Sequence, residues 1–272
     1  MATRSWIVPG PSAHDVEGVT AVRVQLVAGR VLVEGHDAPG VHVDVEEVTG
    51  NPLELSAEDG RLSIGYAFLG WDGWVKRLRS YRSADTAALR VRVPRATHVT
   101  VATATADAVV SGLTEDVTLS TAGARVRASG CTGAVTVRTA SGGVEVLDHV
   151  GPVRVSTAAG RTNLVGRLPR VEVTSIAGAV SISTTSPTSM VDLSTVSGAM
   201  HVDLPAGTGL SLAARSVSGA VSVDGVDHRA QGLAAATLDD RRGTDVCFLT
   251  SKSVSGSLTV VREPATDLAE QA

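Results

Sequence analysis

The chain has 272 residues, of which 43% are hydrophobic but only 3% aromatic, so its core has to be built almost wholly from aliphatic side chains. A formal net charge of -4 excludes the overall basic footprint that is typical of nucleic-acid binding. The two cysteines, Cys131 and Cys247, lie far apart in the sequence and exclude a disulfide framework.

Residues 1–18 form an N-terminal extension, and residues 19–98 carry short runs in which apolar residues alternate with others. Alternation over four to six residues predicts a strand with one buried face. The clearest runs are Val22–Leu26, Val31–Val33, Val41–Val45, Leu62–Ile64 and Leu89–Val93. We expect these strands to be degenerate copies of the repeat that follows, because the terminal repeats of a stack have to cap it. A small separate β-sandwich is the alternative.

The segment 66–82 has a different composition from the rest of the chain, because it holds five of the seven aromatic residues and four basic ones. Apolar residues between positions 71 and 78 are spaced i, i+3, i+4 and i+7, which predicts a short amphipathic helix. This helix is either a cap over exposed strand edges or a contact surface, since aromatic and arginine side chains are typical interface anchors. The candidate binding residues are Trp71, Trp74, Lys76, Arg77, Arg79 and Arg82.

A repeat of about eighteen residues occupies positions 99–262. Its first strand begins at successive positions spaced by 18, 18, 18, 18, 20 and 19 residues, and a glycine turn and a second short strand follow each time. These beginnings are Val99, Val117, Val135, Val153, Val171, Val191 and Leu210. Two short strands with their corners can form only one rung, and stacked rungs pair in parallel. The sequence therefore predicts an all-β, single-stranded parallel β-solenoid (β-helix), right-handed because that hand is commoner for parallel connections.

The repeat also predicts which side chains face inward. The residues two positions after each strand's first residue form an apolar inward column, and hydroxyl residues follow two positions later. These are Thr103, Thr121, Thr139, Thr157, Ser175 and Thr195. We expect these hydroxyls to satisfy backbone groups at the corner. An outward array that binds a ligand is the alternative.

Two segments interrupt the pattern. Residues 225–245 contain Ala234–Ala236 and a charged run, Asp239–Arg242, and are expected to form an exposed loop or short helix inserted before the last rung, Val254–Val260. Residues 263–272 are expected to be a disordered tail.

Three groups of polar residues offer weak alternatives to a purely structural role. Glu172 and Asp192 are expected to lie on adjacent rungs with Arg154 beside them, as a carbohydrate-active enzyme would need. A second group, His201 and Asp203 beside Ser181 and Ser222, has the residue types of a catalytic triad but no visible oxyanion hole. The third group is His42, Asp44 and Glu46, which share one strand face, but three ligands in line cannot close around a metal ion.

The pattern in Thr195–Val202 and Ser216–Val223 resembles a bacterial family of β-strand-repeat proteins labelled putative adhesins. Val22–Val33 is also similar to the first strands of that family. The resemblance covers roughly residues 20–262 and implies a fold related in style to the head domains of autotransporter adhesins, together with surface display. It implies no catalytic residues.

We therefore expect a non-enzymatic binding or scaffold module without a cofactor or metal. A protein partner is favoured over an anionic membrane surface or a polysaccharide, no nucleic acid is expected, and the oligomeric state is open. The sequence shows neither a signal peptide nor an apolar run of membrane-spanning length, so the cytoplasm is the expected location and surface display the alternative. Two other functions stay open, a carbohydrate-active β-helix enzyme and a peripheral membrane protein associated with envelope stress.

Overall fold

The structure, a computed structural model, describes residues 4–66, 85–228, 234–241 and 243–263. These residues form strands, turns and loops, and no helix of membrane-spanning length and hydropathy occurs among them. The chain divides into two compact units, unit 1 (Met1–Gly143) and unit 2 (Val144–Ala272).

The strands of unit 1 are short and follow one another closely. They are β1 (Arg4–Val8), β2 (Ser12–Val16), β3 (Ala21–Leu26), β4 (Ala28–His36), β5 (Val41–Thr49), β6 (Leu53–Glu58), β7 (Arg61–Gly65), β8 (Thr86–Pro94), β9 (His98–Thr103), β10 (Asp107–Ser111), β11 (Val117–Thr121), β12 (Val126–Ser129) and β13 (Val135–Ser141).

The strands of unit 2 continue the same alternation. They are β14 (Val144–Val150), β15 (Val153–Ala159), β16 (Thr162–Arg167), β17 (Arg170–Ala177), β18 (Val180–Thr184), β19 (Thr188–Ser197), β20 (Met200–Pro205), β21 (Gly209–Ser216), β22 (Val221–Val223), β23 (Val226–Asp227), β24 (Ala234–Asp240), β25 (Val246–Ser253) and β26 (Leu258–Glu263).

The strands form two mixed sheets of thirteen strands each, so the predicted single-stranded parallel β-solenoid, with its right-handed coil, is wrong. In unit 1 the strand order is β1-β6-β7-β3-β9-β11-β13 in sheet one and β2-β5-β8-β4-β10-β12 in sheet two. In unit 2 it is β15-β17-β19-β25-β21-β24 in sheet one and β14-β16-β18-β20-β26-β22-β23 in sheet two. Antiparallel pairs lie at the β1 and β2 ends of unit 1 and at the β24 and β23 ends of unit 2.

Two hairpins explain part of this departure from parallel pairing. β6 and β7 are joined by Asp59-Gly60, and β22 and β23 by Asp224-Gly225. All four residues have positive φ, between 48° and 78°. An Asp-Gly pair of this kind forms the two-residue turn whose twist matches an antiparallel hairpin. The alternating pattern of the flanking strands does not reveal this, because parallel and antiparallel strands share a period of two residues.

The order of the last strands is also different from the expected one. β25 lies between β19 and β21, and β26 lies between β20 and β22, so the strand that begins near Leu210 does not follow the strand of Val191 directly. Between positions 225 and 245, where we expected an exposed loop or short helix, the structure has β23 and the edge strand β24. The chain therefore turns back at the end of unit 2 before its final two strands insert.

In the middle of the sheets, neighbouring strands pair in parallel at the spacing of the repeat. β9, β11 and β13 align Val99 with Val117 and Val135, and β15 and β17 align Val153 with Val171. The inward valines and leucines of these strands are at most 2% exposed. The parallel register stacks the inward aliphatic side chains of one strand on those of the next. These stacked layers bury enough apolar surface to form a core with few aromatic residues.

The hydroxyl column faces inward, as expected, and five of its six hydroxyls bond backbone groups at the corner, whereas the buried Ser175 hydroxyl has no hydrogen-bond partner among the described residues. The Thr103 and Thr157 hydroxyls donate to the carbonyls of Ala106 and Ala159, at 2.8 and 3.0 Å. Thr195 donates to the Ser197 carbonyl at 3.3 Å. These threonines are at most 7% exposed, so they hold the corners and are not available to a ligand.

The turns of unit 2 depend on stacked glycines. A Cβ added to Gly198 would lie 2.2 Å from the carbonyl oxygen of Gly178, and one added to Gly178 would lie 2.0 Å from that of Gly160. Both Gly178 and Gly198 have a φ of 144°. Successive turns thus approach so closely that a side chain has no room there.

Candidate binding surface

The six binding residues predicted from composition cannot be placed in this fold. Trp71, Trp74, Lys76, Arg77, Arg79 and Arg82 lie outside the described residues. Both interpretations of the segment 66–82, cap and contact surface, therefore stay predictions.

A different surface stands out in unit 2, the outer face of sheet one. It is formed by the outward side chains of five neighbouring strands, β15, β17, β19, β25 and β21, and we call it the unit 2 face. The strand register arranges these side chains in four rows that run across the strands. In strand order the rows are Arg170, Met190, Phe248 and Ser211; Arg154, Glu172, Asp192, Thr250 and Ala213; Ser156, Thr174, Ser194, Lys252 and Arg215; and Ala158, Ile176, Val196, Val254 and Val217. Val254 and Val217 directly follow the ends of β25 and β21, where the amides of Ser255 and Ser218 donate to the carbonyls of Val196 and Val254 and continue the alignment.

The first and fourth rows expose large apolar side chains. Met190 and Phe248 are neighbours in the first row and are 47% and 48% exposed. The fourth row contains Ile176, Val196, Val254 and Val217, which are 48% to 60% exposed. Six of the nine exposed large apolar residues in the described part of the chain therefore lie on this one face. The four aliphatic side chains of the fourth row are neighbours and form an apolar strip, and an apolar patch of this kind marks an interaction site more often than scattered single residues do.

The fourth row follows from the local sequence. In each of its strands an inward hydroxyl residue is followed by the outward residue, and one small residue then leads into the glycine turn. The outward position is Ile176, Val196, Val217 and Val254 in four repeats but Ala140 and Ala158 in two others. Val-Ser-Gly recurs three times, at Val196, Val217 and Val254. This recurrence, combined with the inward parity of the preceding hydroxyl, was the signal that could have located the surface from sequence.

The two central rows are polar and carry charges of both signs. Glu172 and Asp192 lie side by side on β17 and β19, as the repeat spacing predicted, and Arg154 Nη2 donates to Glu172 Oε2 at 2.5 Å. Together with Thr174, Ser194, Thr250 and Lys252, the two carboxylates line a groove of about 210 Å³. The Arg154 and Glu172 side chains are 57% and 36% exposed, so water screens this ion pair. The arrangement suits recognition of a polar partner surface.

The triad-like group in sheet two is not assembled as predicted. Ser181 is the strand neighbour of His201, and His201 Nε2 lies 2.8 Å from Asp203 Oδ1. Ser222 is not beside them, because β26 lies between β20 and β22 and places Thr259 next to His201. The predicted position of Ser222 is therefore wrong.

In unit 1, the hypothetical metal ligands of β5 are engaged with other side chains. His42 contacts Asp15 through Nδ1 and Asp44 through Nε2, the latter at 3.0 Å. The hydrogen bond to Asp15 is the main cause that raises the pKa of His42; the charges of Asp44 and Asp15 add to it, and desolvation and Arg92 oppose it. Both ring nitrogens face carboxylates, which favours the doubly protonated ring. Among the described residues no group of three His, Cys, Asp or Glu residues could hold a metal ion.

The two cysteines stay buried and separate, Cys131 in unit 1 and Cys247 in unit 2. Burial raises the pKa of both thiols, which disfavours the reactive thiolate.

Comparison with known proteins places the fold among solved structures. No protein-family model and no curated protein matches the sequence. A putative adhesin from Bacteroides fragilis NCTC 9343 is 10% identical with a TM-score of 0.52, and the match covers 95% of this chain and 97% of that one. A putative adhesin from Parabacteroides distasonis ATCC 8503 is also 10% identical, with a TM-score of 0.47 over 96% and 97% of the two chains. A putative lipid binding protein from the same organism is 12% identical, with a TM-score of 0.49 over 93% and 97%.

The fold is thus similar to that of a protein described as a putative adhesin, which is also the label of the family that the repeat pattern resembles. At 10% identity this is a likeness of fold.

Proposed function

We propose that the chain is a non-catalytic binding module and that a protein partner docks on the unit 2 face. One observation carries this proposal: six half-exposed apolar side chains lie in two rows on either side of a charged centre. The composition resembles a protein contact surface, in which apolar anchors are combined with polar groups that set specificity. The similarity in fold to a protein described as a putative adhesin is consistent with a binding role.

The energy available from this surface is appropriate for docking. Complete burial of an aliphatic or aromatic side chain contributes about 1.5–3 kcal/mol, and about half of that is still available for each of the six residues. Their combined contribution, about 4–9 kcal/mol, is comparable with the lower part of the range estimated for the cost of association. Polar contacts from the central rows have to supply the remainder.

Site-specific photo-cross-linking tests the proposal. p-Benzoylphenylalanine replaces Val196 on the unit 2 face or, as a matched control, Ser181, which lies outward near the middle of sheet two in the same unit. After irradiation of living cells that express the full chain, we expect protein adducts at position 196 and only background at position 181. Equal adduct yields at the two positions, or none at position 196, would contradict the proposal.

A further inference from the structure

Both carboxylates of the unit 2 face lie on one side of the boundary between β19 and β25, together with Arg154 and Arg170. The acidic residues Glu172 and Asp192 lie on β17 and β19, and the basic residues Lys252 and Arg215 lie on β25 and β21. The apolar rows, by contrast, extend across both halves. The boundary between β19 and β25 therefore separates the two carboxylates from Lys252 and Arg215, while the apolar rows cross it.

This division makes the face complementary to itself. A twofold axis parallel to the strands, above the boundary between β19 and β25, exchanges these two strands and also exchanges β17 with β21. Met190 then lies opposite Phe248 of the second copy, and Val196 lies opposite Val254 of the second copy. In the same arrangement Ile176 lies opposite Val217 of the second copy. Each apolar row is thus covered by the same row of the other copy, as an isologous interface requires.

The charges fit the same axis. Asp192 comes opposite Thr250 of the second copy, about 6.6 Å along the strand from Lys252, a distance that a lysine side chain spans. Glu172 is related to Arg215 of the second copy by the same offset. Within the described residues, neither Asp192 nor Lys252 forms an ion pair, so both are available to a second copy.

The size of the face reaches the lower limit for an interface. The axis pairs four of its strands, β17, β19, β25 and β21, and these strands, about 4.8 Å apart with eight residues of about 3.3 Å each, cover about 500 Å² per copy. Two copies therefore bury about 1,000 Å², about the minimum area of a biological protein interface. The aliphatic fourth row lies at the edge of the face, and its side chains expose the most apolar surface to water.

We propose that the unit 2 face binds a second copy of this chain about a twofold axis between β19 and β25. This proposal rests on the proposed function and identifies the protein partner as a second copy of the same chain.

Two charge reversals test the pairing. Lys252→Glu makes the central pair acidic on both sides of the interface, and Asp192→Lys makes it basic. We expect each variant alone to raise the dissociation constant of the dimer at least about tenfold, because the repulsion occurs twice in a symmetric dimer. An equimolar mixture of the two variants has only opposite charges across the interface, so its dimer should re-form.

Sedimentation equilibrium of the full chain, at about 1 to about 100 µM, measures the mass of each sample. A far-UV circular dichroism spectrum equal to that of the wild type and a cooperative urea transition establish that the variants fold. A dimeric wild type, monomeric single variants and a dimeric mixture support the proposal. A monomeric wild type overturns it, as does a dimer that the substitutions leave intact or a mixture that does not re-associate.

The cross-linking experiment separates this proposal from the broader one. Adducts at position 196 between two copies of the chain support both the docking function of the unit 2 face and its self-association. Adducts to a different protein, together with a monomeric wild type, overturn self-association and leave the binding function in place.

Discussion

Replacing Arg262 by methionine should remove the cation that joins the last strand of unit 2 to two other segments. The Arg262 side chain is only 5% exposed. Its Nε donates to Asp224 Oδ2 at 2.8 Å, Nη1 donates to Asp240 Oδ2 at 2.9 Å, and Nη1 also donates to the Thr208 carbonyl at 3.3 Å. Arg262 thus connects β26 to the β22–β23 hairpin and to the edge strand β24.

The expected loss of folding stability follows from the burial of Arg262, Asp224 and Asp240. Removing one partner of a fully buried ion pair destabilises a protein by about 3–5 kcal/mol, because the remaining charge is left without compensation. The Asp224 and Asp240 side chains keep 32% and 22% of their exposure and can partly rehydrate. We therefore expect Arg262→Met to lower the free energy of unfolding by about 2–3 kcal/mol.

Urea unfolding, followed by far-UV circular dichroism, measures this loss as a shift in midpoint at unchanged slope. Arg154→Met is the matched control, because it removes an arginine–carboxylate pair of which the two side chains are 57% and 36% exposed. This control should cost at most about 0.5 kcal/mol. Equal losses in the two variants would refute the reasoning that burial, and not pairing alone, determines the effect.

Two further predictions concern the turns and the pH dependence. Gly198→Ala should destabilise the chain more than Gly207→Ala. A Cβ at position 198 would meet the Gly178 carbonyl oxygen at 2.2 Å, whereas at position 207 nothing lies within 4 Å of an added Cβ. Comparable urea midpoints for the two variants would contradict this prediction. His42→Gln should lose stability mainly at low pH. Because the pKa of His42 is raised in the folded state, its stabilisation is complete below 6.5, the ordinary value, and disappears as the pH rises through the raised value. A difference in unfolding free energy that is the same at about pH 5.5 and about pH 9 would contradict this assignment.

The repeat predicted the inward side chains well because parity is a local property. The spacing of the first strands brought Val153 and Val171 into register, placed Thr157 at an inward corner and put Glu172 beside Asp192. Each of these positions depends only on the alternation within a strand and on a step of 18 to 20 residues between neighbours.

The order and direction of the strands depend on non-local choices, and there the prediction failed. Alternation is the same in parallel and antiparallel strands, so it could not show that β24 runs antiparallel to β21 or that β25 inserts between β19 and β21. The Asp59-Gly60 and Asp224-Gly225 pairs are hairpin signals in the sequence, but the regular repeat favoured parallel pairing over antiparallel hairpins at these positions.

The binding surface was predicted from composition alone, and composition favoured the aromatic segment 66–82. The unit 2 face could not be predicted from composition because its apolar residues are distributed over four segments of the chain. Val196 and Val217, for example, are separated by 21 positions in the sequence, and β25 lies between their strands in the sheet. They become neighbours only after the sheet has formed.

The yield of photo-cross-linked protein at position 196, measured against position 181 in the same cells, tests most directly whether the apolar rows of the unit 2 face are a docking surface. The account predicts discrete adducts when the photoreactive group replaces Val196, which is 48% exposed on the outer face of β19. If the two positions are cross-linked equally, or if position 196 gives no adduct, the exposed rows are not where this protein meets its partner.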